Sequence, residues 1–481
     1  MKRVSISVST FLLLFILIFT PYLFSNDQPK SDFSEALRLI DAWLEAQRDY
    51  DHLPGLSVAI VVDQELLWSK GYGMADLEKK VPASPKTIYS ICSISKLFTS
   101  VAIMQLRDAG KLRLDDLVSD HLPWFNIKQQ YPDNGPITIR SLLTHSSGLP
   151  READYPYWTR PDFPFPSLEQ VKAKLGTQKT LYPPSTYFQY SNLGMTLLGE
   201  IVAEVSGMPY QQYIQEKILK PLGLADTRTK LPESLWRGKL ATGYSALKRD
   251  GTREMLPLFQ ARGIAPAAGF SSTVEDLARF ASWQFRLLEK GGKEVLKSST
   301  LREMHRVHWV DPDWETTWGL GFEVWKVDGR MMVGHGGSCP GYRSTLNIDL
   351  PNKWAFIVMI NAQGVSPGKY ATGMRDILKK ASSPVKEEKV AVELEDYAGY
   401  YNEQPWWGET VVLPWKGKLA VLSLPSENPA KSLTLLKHIK GDTFRRLRKD
   451  KTLGEEVIFE RDKSGKVVRM WQHSNYSEKI R

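Results

Sequence analysis

Ser93 and Lys96, three residues apart in "ICSISKLF", are the first pair whose types and spacing suggest chemistry. Residues i and i+3 share a helix face, so the lysine amine can approach the serine hydroxyl. A free lysine titrates near 10.4, and burial disfavours its charge, which turns the amine into a base. The serine's amide, at a helix start, lies where partial positive charge favours an oxyanion. The motif alone is cheap. Three further Ser-x-x-Lys matches begin at Ser245, Ser366 and Ser383, all in loop or linker sequence. Only Ser93 opens a strongly apolar helical run, and by itself a serine there also reads as an N-cap.

Two more elements add to the pair. "YSN", Tyr190 to Asn192, begins another helical segment after the turn "YPPSTYFQ". A tyrosine there can take or return a proton if nearby cations lower its pKa from about 10. "HGG", His335 to Gly337, ends a strand, where glycines let a substrate backbone approach closely. Decoys such as Tyr400-Tyr401-Asn402 and Lys290-Gly291-Gly292 sit in the wrong order or in charged turns. His305 and His308 lack a carboxylate or cysteine to complete a ligand set and read as surface residues. There is no Gly-x-Ser-x-Gly, which argues against an α/β-hydrolase.

The elements that must hold these residues follow from periodicity. "SEALRLIDAWLEAQRDY" is helical, "LSVAIVV" and "ELLWSKGYG" a buried hairpin, and "SISKLFTSVAIMQLRDAG" an apolar helix stopped by Gly110. The region from about 110 to 265 is helix and loop, with helical segments in "TIRSLLTHSSGLP" and "NLGMTLLGEIVAEVSG". Within it, "READYPYWTRPDFPFPS" reads as a long surface loop, either a substrate rim or simple loop packing. "LGFEVWKV", "MMVGHGG", "YRSTLNIDL" and "WAFIVMINA" form an antiparallel meander, followed by a helix over about 368–381. First and last strands flanking a helical middle predict one sheet built from both chain ends, an α+β fold with a helical insertion. The expected division is 34–382 for this domain, 383–394 for a linker and 395–481 for a small all-β barrel.

In these stretches the chain resembles the serine β-lactamase and penicillin-binding-protein superfamily, in its class C-like, family S12 branch. The resemblance rests on "SISK", "LLTHSSGLP", "YSN", "PAAGFSSTVEDLARF" and "GHGGSCPGYRS", in order over roughly residues 35 to 382. It implies the β-lactamase-like antiparallel sheet flanked by helices, with a lipocalin-like C-terminal barrel. It implies that Ser93 is acylated, that Lys96 and Tyr190 move protons, and that Asn192 meets the substrate amide. His335 stands where relatives carry the lysine of Lys-Thr-Gly. The N–H groups of Ser93 and Ser338 would form the oxyanion hole beside Gly337. A neutral histidine weakens the case for a dedicated β-lactamase, and Arg343 in "PGYRS" is a candidate replacement cation. The resemblance also implies a disulfide between Cys92 and Cys339, as in some class A relatives. Such a bridge would be worth ~5 kcal/mol in the chain-entropy model, and two unpaired buried thiols is the alternative.

The expected activity is serine acyl hydrolysis of a peptide, ester or β-lactam, without a cofactor or metal. The alternatives are a catalytically silent sensor of cell-wall fragments, or a barrel that binds lipid or a partner. The 481 residues carry a formal charge of +9, with no basic block or zinc-finger pattern of the kind that reads nucleic acid. Lys2 and Arg3, the apolar "FLLLFILIF" and Ser25 read as an export signal over residues 1–25, with an uncleaved anchor as the alternative because the cleavage site is weak, and the protein is expected to be exported, periplasmic or secreted. Oligomeric state is not encoded in any of these signals.

Overall fold

The computed structural model describes residues 32–383, 390–402 and 408–481. The expected signal at 1–25 and residues 384–389 of the expected linker lie outside the described residues. Helix α1 (Ser34–Tyr50) buries Leu39, Ile40, Trp43 and Leu44 on one face and leads into the hairpin of β1 (Gly55–Val62) and β2 (Glu65–Asp76). A single 3-10 turn, Cys92–Ile94, precedes α2 (Ser95–Asp108). Ser93 therefore sits in that turn, two residues before the α-helix proper.

Helix α3 (Asn192–Ser206) starts on a Ser191 N-cap that accepts from the Gly194 amide at 2.9 Å. The long amphipathic α4 (Val274–Lys290) completes the helical insertion. The chain then returns as β3 (Glu323–Val327), β4 (Arg330–Cys339), β5 (Tyr342–Asp349) and β6 (Trp354–Ile360), and α5 (Pro367–Ser382) follows.

The strands order as β2-β1-β6-β5-β4-β3, with short edge strands making nine in all. The joint is β1 against β6, antiparallel, with Leu56 opposite Ile360 and Val62 opposite Trp354. Every residue of β6 is buried because both sheet faces are covered. Ala355, Ile357 and Met359 face the helical insertion, whereas Phe356, Val358 and Ile360 face α1 and α5. The expected α+β architecture, with one sheet assembled from both chain ends, is the one formed.

Eight further strands, from Gly399–Asn402 to Asn475–Lys479, close into a barrel, the first pairing with the last. Tyr397, Tyr401, Phe444 and Phe459 fill part of its interior. Its outer face (Val411, Leu413, Trp415, Leu422) shares one apolar core with α1 and α5. Polar contacts pin that joint: Trp43 Nε1 donates to the Ser426 carbonyl at 2.8 Å, and the Ser426 amide to Gln47 Oε1 at 3.0 Å.

His305 corrects the surface reading. It is buried, its Nε2 lies 3.0 Å from Gln284 Oε1, and its ring meets the Phe322 edge at 4.8 Å. Burial holds it neutral, with a pKa near 3. Among the described residues no helix is long and apolar enough to cross a membrane, and no cluster of ligands could hold a metal.

Candidate active site

The turn that carries Ser93 is clamped against β4. Cys92 takes a left-handed φ of 52°, unusual for a residue with a side chain. Cys92 is joined to Cys339 at the end of β4 by a disulfide, with 5.6 Å between their α-carbons. Gly337 lies beneath the same turn. A Cβ there would stand 2.3 Å from the Ile91 carbonyl and 2.3 Å from Ser344 Oγ, so only glycine lets strand and turn approach. Ser344 Oγ donates to that Ile91 carbonyl at 3.1 Å.

Lys96 is wholly buried, and its Nζ has three oxygen neighbours: Ser93 Oγ at 3.1 Å, Asn192 Oδ1 at 2.8 Å and the Ala267 carbonyl at 2.8 Å. Desolvation pulls its pKa well below the usual lysine value. Glu152 and Glu323 oppose that shift, and Arg151 reinforces it. A neutral amine has two N–H donors and one lone pair. With the amide and carbonyl oxygens taking the donors, the lone pair is left for the Ser93 hydroxyl.

Tyr190 lies against the same lysine, whose Nζ is 4.8 Å from the ring centroid. Its ionisation is pushed upward by burial, and a hydrogen bond with Ser93 only partly offsets this. The condition of a lowering by nearby cations is not met: desolvation outweighs the Arg151 charge, and the shift favours the protonated phenol. His145 fixes its position. The His145 carbonyl accepts the Gln189 amide at 2.7 Å, its Nδ1 accepts the Ser191 amide at 3.2 Å, and its ring lies 4.4 Å from the Tyr190 ring.

Asn192 donates from Nδ2 to Glu152 Oε1 at 2.7 Å, which turns its Oδ1 toward Lys96. Glu152 also accepts from Trp158 Nε1 at 3.0 Å and from the Tyr157 hydroxyl. The aromatic loop expected as rim or packing does both: Tyr157 and Phe165 are buried, and Glu152 reaches the site.

His335 is buried, and its Nδ1 lies 2.5 Å from the Gly336 carbonyl, which assigns the ring proton to that nitrogen. Nε2 is then a buried acceptor with no partner among the described residues. Burial and the Lys96 charge lower its pKa to about 3, so it is no cation near neutral pH. Ser338 follows on β4. Cys339 and Tyr342 close a two-residue turn, so Ser338 opposite Arg343 belongs to a pair that exchanges no ladder bonds. Its N–H points away from β5, past the end of β3, whose pairing with β4 stops at Gly334.

The same ladder removes Arg343 from the reacting side. It stands opposite Ser338 and Ile360, on the α1 and α5 face, whereas His335 and Cys339 face the helical insertion. The cation at the site is Arg151, its Cζ 4.8 Å from the Tyr190 ring centroid. Spacing alone did not single out Glu152, Arg151, His145 or Glu323. Only the quoted loop and "LLTHSSGLP" hinted at the first three.

The Beta-lactamase family model matches residues 40–379. The chain belongs to the Beta-lactamase family. Among curated proteins it is similar to Protein flp of Staphylococcus aureus (strain COL), 29% identical over 339 residues, covering 68% of this chain and 64% of that protein. The match thus spans less than two thirds of this relative's own length. Among solved structures, the octameric penicillin-binding protein homologue from Pyrococcus abyssi superposes with a TM-score of 0.63 at 25% identity. That likeness covers 92% of this chain and 100% of that one, so it takes in the barrel. A D-stereospecific amidohydrolase from Streptomyces sp. shares the fold at TM-score 0.57 and 24% identity, over 69% of this chain and 96% of that one. Membership gives the hydrolase fold a family whose sequence model covers the whole Ser93-to-His335 span.

Proposed function

We propose that this Beta-lactamase family member is an exported serine hydrolase that forms an acyl-enzyme at Ser93. The observation that carries the reading is the buried Lys96 amine, held toward its neutral form 3.1 Å from Ser93 Oγ. In this mechanism Lys96 takes the hydroxyl proton as Ser93 Oγ attacks the acyl carbon. The Ser93 and Ser338 N–H groups receive the oxyanion. Tyr190, protonated and hydrogen-bonded to Ser93, passes a proton to the departing atom and is reprotonated from Lys96. Water then cleaves the ester by the reverse exchanges. Peptides, esters and β-lactams all carry the acyl carbon this requires. The Cys92–Cys339 bridge favours an oxidising compartment and supports export.

Labelling with a fluorophosphonate and with fluorescent penicillin tests the assignment. Wild type should give a Ser93 adduct and turn over an activated ester, whereas Ser93→Ala should give neither and lose at least ~10³-fold in rate. Equal labelling of both proteins, or none of wild type, would move the reading to a silent sensor of cell-wall fragments.

A further inference from the structure

We propose that the interior of the C-terminal barrel binds a small anionic amphiphile, a molecule with a carboxylate head and a short apolar tail. The site is separate from the Ser93 cleft, and the inference does not depend on the hydrolase reading. The barrel interior is packed at one end only. Tyr397, Tyr401, Phe444 and Phe459 meet there, with ring centroids 4.8 to 6.0 Å apart. Toward the other end a cavity of about 590 Å³ remains, and every residue that lines it belongs to the barrel. That volume lies in the range of small-molecule sites.

The lining is graded from polar to apolar. Three strands reach the mouth at their C-terminal ends, near Ser423, Arg446 and Gln472. The strands antiparallel to them start there, near Thr434, Glu455 and Asn475. This outer tier is polar and, apart from half-buried Thr434, exposed. Side chains on one face of a strand recur at every second residue. One such step inward, the same strands carry Val421, Phe444, Met470, Leu436, Val457 and Ser477, and all but Ser477 are buried. Cross-strand register puts the two tiers on one face: Leu436 stands opposite Arg446, Val457 opposite Gln472, and Met470 opposite Ser477. A step of two residues is about 7 Å, so the apolar tier takes a tail of about six to eight carbons. Beyond that depth the packed rings close the barrel.

Arg446 sets the sign of the head group. A guanidinium is a fixed cation, and this one makes no hydrogen bond or ion pair among the described residues. The carboxylates at the mouth are placed otherwise. Glu455 pairs with Arg448 at 3.4 Å and feels the Arg446 charge only at longer range. Glu456 stands opposite Arg445, one residue out of phase with Glu455 and Val457, and so alternates toward the outer face. The Arg446 fork is therefore open to a carboxylate. Ser423, Thr434, Gln472 and Asn475 surround that position with hydroxyl and amide groups.

Isothermal titration of the full chain with butyrate, octanoate, dodecanoate and 1-octanol tests the site. Octanoate should bind at least about tenfold more tightly than butyrate, and dodecanoate should stay within about threefold of octanoate because the floor is closed. Arg446→Ala should weaken octanoate about tenfold and leave 1-octanol within about twofold, whereas Arg446→Lys should keep part of the preference. Ser477→Phe fills the inner tier and should remove binding of both. Arg446 is exposed, so its variants keep the barrel, and should Ser477→Phe unfold, the Arg446 comparison decides. No binding of millimolar octanoate, equal binding by Arg446→Ala, an affinity that keeps climbing to dodecanoate, or binding untouched in folded Ser477→Phe overturns the inference. Octanoate binding that survives Arg446→Ala but is lost after fluorophosphonate treatment belongs to the Ser93 cleft and overturns it too.

Discussion

At the scale of the residue, Glu323 is a buried carboxyl whose charge bears on the protonation of Lys96. Burial raises its pKa from 4.5 to about 7, with the Lys96 charge opposing the shift. An ionised Glu323 in turn favours the Lys96 ammonium. Removing that negative charge should leave Lys96 neutral to lower pH, so Glu323→Gln should move the acid limb of kcat/KM downward. A limb that stays in place shows that the two groups are not coupled. The stability sign follows from linkage. A folded pKa above the unfolded one gives stability that is full below 4.5 and lost as pH climbs through about 7. Thermal melts of wild type should therefore fall relative to Glu323→Gln between about pH 5 and 8. None of this was legible in the sequence, where Glu323 is one acidic residue in an ordinary strand. Ser93, Lys96 and Tyr190 were legible because their spacing and order are local signals. Arg151 and Glu152 were not, because an irregular loop sets their direction.

At the scale of elements, the clamp between the Cys92–Ile94 turn and β4 makes the Ser93 backbone and that strand one unit. Gly337→Ala should force Cβ into the Ile91 carbonyl and Ser344 Oγ. The expected cost is about 1–3 kcal/mol of stability and, through displacement of Ser93, ~10²-fold in acylation rate. Chemical denaturation and burst kinetics on the same preparations check both. Unchanged acylation with reduced stability would show that the contact serves packing alone. Strand periodicity placed β4 and β5 from the sequence, and the helix after Ser93 was also readable. Two details were not: the one-turn delay before α2, and the phase of β5, which carries Arg343 to the far face. A strand that starts one residue earlier or later swaps every side chain between faces, and the hairpin that sets this start is a tertiary feature.

For the whole molecule, the C-terminal barrel is part of the hydrolase domain's packing. Its outer strands bury Val411, Leu413 and Trp415 in the core of α1 and α5. A chain ending at residue 383 should therefore expose that face and aggregate, and the full chain should melt in one transition by calorimetry. A soluble, active truncation would show the two parts to be independent. The barrel's existence was readable from its alternating strands and turns, whereas its docking was not, since the face that docks has the same alternation as one left in water. The sheet has another consequence, in the order of events at synthesis. β1 is buried on nearly every residue, yet its partner β6 lies beyond residues 63–353. At 5–20 residues per second that gap takes roughly 15 to 60 s to translate. Through this interval the edge of β1 that β6 covers in the folded sheet has no partner yet made, so closure of the sheet waits for residues 354–360.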